Sequence, residues 1–199
     1  MTGNEFDMVF DCQKVFKSIM NAMAKPGTVF KIEEQIKKIA SDHKAVTAIA
    51  MTLMDNRTRF YITNCDELLT DIREKTMAVK SNAENADFLI AVDVENMMDC
   101  GTCLLDCAKV GTLPEPHKSA TIIVCLDTFG GETLTLTGPG IDGEKVIGLP
   151  ESGILWMKKR ASKNYEFPCG VDILFCTDKG ELMGIPRTVK TGGDLSWDM

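Results

Sequence analysis

The chain has 199 residues, 44% of them hydrophobic, enough for a core that buries roughly 70% of the unfolded surface without disulfide or metal staples. Lys and Arg total 22 against 29 Asp and Glu, a formal charge of -7, which argues against nucleic acid or an anionic membrane as the main partner. No apolar run approaches the roughly 18 residues of a membrane span, and Met1 to Phe6 holds no basic stretch followed by an apolar one, so a cytoplasmic location is expected.

Asp11 is placed to cap a first helix, in which Phe16, Ile19, Met20 and Met23 recur every three or four residues until Pro26 and Gly27 stop it. Thr28 to Ile32 reads as a strand, and Lys44 to Met54 as a mostly apolar helix. Arg59 to Thr63 is a short strand, and Asp66 opens a helix with Leu68, Leu69 and Ile72 on one side. Asp87 to Val92 is an almost unbroken apolar run, the mark of a central strand covered on both faces. Ala120 to Leu126 repeats that character. Phe129 to Gly131 then leads into the alternating Glu132 to Thr137, which predicts an antiparallel hairpin. Glu151 to Lys163 has helical spacing. Val171 to Thr177, a turn at Asp178 to Gly180, and Glu181 to Ile185 predict a second hairpin.

Helices alternating with strands early, and hairpins late, predict an α/β fold: a mixed β-sheet with helices on both faces. With no internal repeat, low-complexity tract or long linker, one domain over 1–199 is expected, its core about residues 6–191 and its tail from Thr191 loose.

Cys100, Cys103 and Cys107 form the densest cysteine group, a spacing that can signal zinc or an iron-sulfur cluster. On a helix, Cys100 and Cys107 stand about 10.5 Å apart along the axis, whereas two sulfurs on one zinc are at most ~4.6 Å apart. Small buried side chains are the favoured reading, with no metal, no cofactor and reduced thiols throughout. The two histidines, His43 and His117, stand next to no nucleophile motif and read as solvated loop or helix-end residues.

Lys158, Lys159 and Arg160, with Lys163 nearby, make the densest positive group, suited to an anion or an acidic partner but equally to the wet face of a helix. Gly138 and Gly140 flank Pro139 in a loop that either offers N–H groups to an anion or rigidly ends a hairpin. Asp172 and Arg187 each sit beside a strand end, where a charge must be solvated or paired; mutual pairing, or Arg187 facing a phosphate or partner, are the options. No residue is assigned a catalytic role.

Four Gly/Pro motifs recur along the chain: Ala22 to Gly27 (AMAKPG), Leu136 to Ile141 (LTGPGI), Phe167 to Asp172 (FPCGVD) and Ile185 to Thr188 (IPRT). With Asp11 to Phe16 (DCQKVF) ahead of them, their order and spacing resemble the PhnH family, a subunit of the bacterial carbon-phosphorus lyase complex, from about Phe6 to Thr191. The resemblance implies a three-layer α/β sandwich related to pyridoxal-phosphate-dependent transferases but without the cofactor. It also implies an accessory role in organophosphonate catabolism: supporting formation of alpha-D-ribose 1-methylphosphonate 5-triphosphate from ATP and methylphosphonate. Partners implied are the PhnG, PhnI and PhnJ subunits, with a homodimer when the chain is alone. Two other classes stay open, a phosphonate- or nucleotide-binding transferase active by itself and a metal or redox protein using Cys100, Cys103 and Cys107.

Overall fold

The computed structural model describes residues 5–192 except 64, 93, 95–99 and 165, and only the backbone of 100–103. The expected loose tail therefore lies, beyond residue 192, outside the described residues.

Asp7, not Asp11, caps the first helix, α1 (Phe10–Ala24): its Oδ1 accepts from the N–H groups of Val9 and Phe10 at 2.8 and 2.7 Å. Asp11 sits one turn inside and accepts from the Asp7 N–H at 3.0 Å, so the two carboxylates satisfy donors that the helix leaves open. Val15, Ile19 and Ala22 are the buried face. Phe16 and Met20, placed inside by periodicity, are 46% and 52% exposed and share an outer stripe with Val9. The apolar arc of this helix is wider than the arc its neighbours cover.

The remaining elements are β1 (Val29–Lys31), α2 (Glu33–Ile36), α3 (Lys44–Leu53), β2 (Arg59–Ile62), α4 (Asp66–Thr76), β3 (Val79–Lys80), β4 (Phe88–Ala91), α5 (Cys100–Cys107), β5 (Thr121–Leu126), β6 (Glu132–Thr137), β7 (Glu144–Leu149), α6 (Glu151–Lys163), β8 (Asp172–Thr177), β9 (Glu181–Ile185) and β10 (Lys190–Thr191). A seven-stranded sheet runs in the order β1-β9-β8-β5-β4-β2-β3, and a three-stranded sheet in the order β10-β6-β7. From β8 to β3 the neighbours are parallel, while β9 is antiparallel to both β8 and β1, which makes the large sheet mixed.

Side chains alternate across that sheet into two cores. Ile90, Ile123, Leu174 and Leu182 pack with Val15, Ile19 and Ile49 of the first helices. Leu89, Ile122, Val124, Ile173 and Phe175 pack on the other face with Leu105, Trp156 and Met157 of α5 and α6. Leu136, Ile147 and Leu149 of the small sheet join this second core, so helices on that side share the cover with β6 and β7.

The hairpin expected between Ala120 to Leu126 and Glu132 to Thr137 does not form. β5 is buried along almost its whole length and lies between β4 and β8 in parallel register. Both its edges are used, so β6 crosses to the small sheet and pairs antiparallel with β7 and β10. The second expected hairpin, β8 with β9, is present in register Ile173 opposite Ile185.

The Asp11 carboxylate is buried and lies 2.8 Å from Lys38 Nζ, tying α1 to the segment after α2. Burial opposes its charge, but the Lys38 ammonium and the Asp7 N–H outweigh it and hold the carboxyl below its ordinary pKa. A depressed carboxyl contributes stability above the unfolded pKa and loses it as pH falls through the folded one. Asp11→Asn is expected to lower stability by about 1–3 kcal/mol at neutral pH. In urea titrations the gap to the parent protein should be constant above about pH 5 and close below about pH 4.

Candidate functional site

The four Gly/Pro motifs converge on one corner. The Gly27 N–H, at the end of the first motif, donates to Gly184 O at 3.2 Å. Gly140 has φ +83°, and a Cβ on it would lie 2.6 Å from Ala24 O; Gly138 has φ +130°, with Thr188 O 3.0 Å from the position of a Cβ. Two of the three glycines of the β6–β7 loop are thus pressed against other backbone, Gly140 on the end of α1 and Gly138 on the turn after β9. A side chain at either place would push the β6–β7 loop away from these segments.

Polar side chains close the same corner. Asp172 Oδ1 accepts from the Arg187 N–H at 2.6 Å, and its Oδ2 lies 3.3 Å from the Arg187 guanidinium. That guanidinium also donates to Pro116 O and, at 2.5 Å, to Ser119 Oγ. Asn164 donates to Val171 O and Arg187 O at 3.1 and 3.2 Å and accepts from the Val171 N–H at 2.8 Å, which joins the third motif to the fourth. Arg160 is 1% exposed and donates to Val189 O at 3.1 Å and to Pro186 O.

The basic run on α6 therefore divides by direction. Arg160 points into the protein, Lys159 pairs with Asp106 at 2.9 Å, and Lys163 donates to Asp106 O at 2.7 Å, both clamping the end of α5. Lys158 alone of the three candidate cations is exposed. Helical periodicity turns consecutive residues by about 100°, so a run of charges in sequence need not be a patch in space.

Two clefts flank the sheet. One of about 610 Å³ opens at the amino ends of β2, β4 and β5 and is lined by Arg59, Asp87, Lys109, His117 and Lys118. Ser119 lines it too and receives the Arg187 bond, so the corner forms part of its wall. Asp87 is opposed by burial but held in its charged form by Lys109 and by the Arg59 N–H at 2.9 Å, which leaves its pKa lowered. Lys118 pairs with Glu115 at 2.7 Å. The cleft can take an anion only in competition with these carboxylates.

The other cleft, about 490 Å³, lies at the carboxyl ends of the strands and includes Ser41, His43, Cys65 and Asp71. The His43 side chain is 17% exposed, not a solvated loop residue, and faces residues of β5 and the β8–β9 turn. Its environment was illegible in sequence because its neighbours come from strands far along the chain. Cys107 is an exposed free thiol; the side chains of Cys100 and Cys103 lie outside the described residues. Among the described residues, no group of three or more His, Cys, Asp or Glu side chains is arranged to hold a metal ion, and no helix is long and apolar enough to cross a membrane.

These features define a mixed α/β protein in which four separated turn motifs lock one corner through backbone contact, the buried Arg160 guanidinium and the half-buried Arg187 guanidinium. The chain belongs to the PhnH family: the sequence model described as "Bacterial phosphonate metabolism protein (PhnH)" matches residues 4–192. It is 30% identical over 198 residues, 95% of this chain and 94% of the relative, to the "Alpha-D-ribose 1-methylphosphonate 5-triphosphate synthase subunit PhnH" of Rhizobium meliloti (strain 1021). It is also 28% identical over 182 residues, 88% of this chain and 83% of the relative, to the "Putative C-P lyase subunit protein HtxG" of Stutzerimonas stutzeri.

Gly140→Ala is expected to cost more than about 2 kcal/mol in urea unfolding, since strain at positive φ adds to a backbone clash. Gly143, with φ +71° and nothing within 4 Å of a built Cβ, supplies the control. Gly143→Ala should cost only about 1 kcal/mol, the strain alone.

Proposed function

We propose that this chain is an accessory subunit of a carbon-phosphorus lyase system, acting in the step that joins a phosphonate to the ribose triphosphate of ATP. In that step the phosphonate displaces adenine and gives a ribose 1-phosphonate 5-triphosphate; sister subunits carry the chemistry, and PhnG-, PhnI- and PhnJ-type chains are the partners. The observation that carries this reading is the use of the family motifs. Arg160 and Arg187, the guanidinium groups best suited to a triphosphate, donate to the protein's own carbonyls and to Asp172. Gly138 and Gly140 press on the backbone of Thr188 and Ala24, which gives these glycines a packing role. Motifs spent on shape suit a subunit that is held by others.

An apolar stripe left outside supports the same reading. Val9, Phe10, Phe16 and Met20 are each at least 46% exposed along α1, a surface that a complex subunit covers with its neighbour. The seven-stranded, mostly parallel sheet between two covering layers supports kinship with pyridoxal-phosphate-dependent transferases, here in a cofactor-free form. The soluble cytoplasm is the compartment this role requires, and a homodimer through the α1 stripe is the state proposed for the chain alone.

Co-expression with the sister subunits tests the assignment. Adenine release from ATP and methylphosphonate is expected to depend on this chain, and the isolated chain should show neither turnover nor saturable heat of binding with the two substrates. Activity that persists without the chain would remove the proposed role, and turnover by the chain alone would replace it with a catalytic one. The double variant Phe16→Glu, Met20→Lys should retain the parent's stability to within about 0.5 kcal/mol yet fail to co-purify with the complex.

A further inference from the structure

The carboxyl edge of the large sheet carries a second cluster, remote from the motif corner. Cys125, second from the end of β5, stands directly opposite Cys176 in β8, and both side chains enter the core on the α1 and α3 face. Neighbouring strands run about 4.8 Å apart, within the Cα separation of about 4.4–6.8 Å that a disulfide bridges. Both cysteines are free thiols, and each shifts the other's ionisation.

The pair is asymmetric. Cys176 is completely enclosed, while Cys125 keeps 7% of its surface. His43, just ahead of α3, helps to hold the Cys125 pKa down, and its Nδ1 lies 3.9 Å from Asp178 Oδ2, a charge contact longer than a hydrogen bond. The same imidazole lines the 490 Å³ cleft, so the group that helps to lower the Cys125 pKa also faces the open space. A thiol, an imidazole and a carboxylate in this order are the elements of an activated sulfur nucleophile.

We propose that Cys125 and Cys176 form a peroxide-reactive dithiol, with Cys125 the attacking thiol, His43 its proton acceptor beside the Asp178 carboxylate, and Cys176 the resolving thiol. The oxidant is a small hydroperoxide, because a thiol this enclosed admits hydrogen peroxide and excludes a bulky disulfide such as oxidised glutathione. His43 takes the Cys125 proton, and the thiolate attacks one peroxide oxygen, forming an S–O bond and breaking O–O. The leaving hydroxide receives the proton from His43 and departs as water. The Cys176 thiol then attacks the Cys125 sulfenic acid, forming S–S and breaking S–O; its proton leaves with that oxygen as a second water. Two thiols lose two electrons and the peroxide gains them. Thiol ionisation is arranged in the same sense: Cys176 lowers the Cys125 pKa against burial, with His43 adding to the effect, while Cys125 and burial push Cys176 well up.

The full-length reduced protein, treated with hydrogen peroxide and mapped by non-reducing peptide mass spectrometry, decides the matter. The expected product links the Cys125 and Cys176 peptides with the loss of two hydrogens, at a rate at least about tenfold above oxidation of the exposed Cys107. Cys176→Ala should halt at a Cys125 sulfenic acid trapped by dimedone, His43→Gln should slow Cys125 oxidation at least about tenfold, and oxidised glutathione should leave the pair reduced. Cys125 reacting no faster than Cys107, or bridging to a cysteine other than Cys176, overturns the proposal. The peptide map of the parent protein separates these outcomes even where a variant fails to fold, and it is independent of the subunit role, which is read from co-assembly.

Discussion

Backbone set directly against backbone at Gly138 and Gly140 is the constraint on which the molecule's shape depends. The small sheet has its own hydrogen bonds, but its position over the large one is set where those two glycines meet Ala24 and Thr188. Once this approach is made, Leu136 and Ile147 fall onto the core shared with Phe175 and Ile185, and the turn after β9 comes within reach of Arg160 and Asn164. Contacts at that distance tolerate no side chain, which is why the corner is written in glycine and proline.

The charges at this corner, Arg160 fully buried and Arg187 and Asp172 partly so, serve the same geometry. A guanidinium taken out of water must find acceptors for its N–H groups, and here the acceptors are carbonyls at the ends of elements that a loose turn would leave unsatisfied. Arg160 and Arg187 thus hold chain segments that no strand ladder reaches, and Asp172 balances the charge of the second. A residue type that elsewhere signals phosphate here signals an internal joint. This is the physical basis for reading the family's motifs as the means of presenting a fixed surface to other subunits.

The two edges of the large sheet differ in chemistry. The amino edge gathers Arg59, Lys109 and Asp87 into a compensated charge cluster beside the motif corner, whereas the carboxyl edge gathers His43, Cys125, Cys176 and Asp178. In open α/β sheets the carboxyl ends face the mouth of the fold, where helix starts and strand ends converge. The thiol pair sits at that mouth, outside the motifs that define the family.

Local pattern alone decided a good deal: the stop of α1 at Pro26 and Gly27, the α3 and α6 spans, the doubly covered character of β4 and β5, the β8–β9 hairpin, and the family, because turn residues and apolar periodicity act over a few positions. Asp172 pairing with Arg187 was also readable as one of two options. The sequence could not say that β6 leaves β5, since edge occupancy depends on which strands arrive on either side. It could not say that Phe16 and Met20 face outward, since a wide apolar arc does not tell which part a neighbour covers. Nor could it bring His43 to Cys125 or turn Arg160 inward. Those outcomes depend on long-range packing, where residues distant in sequence compete for the same space and the same hydrogen-bond partners, and only the folded chain settles that competition.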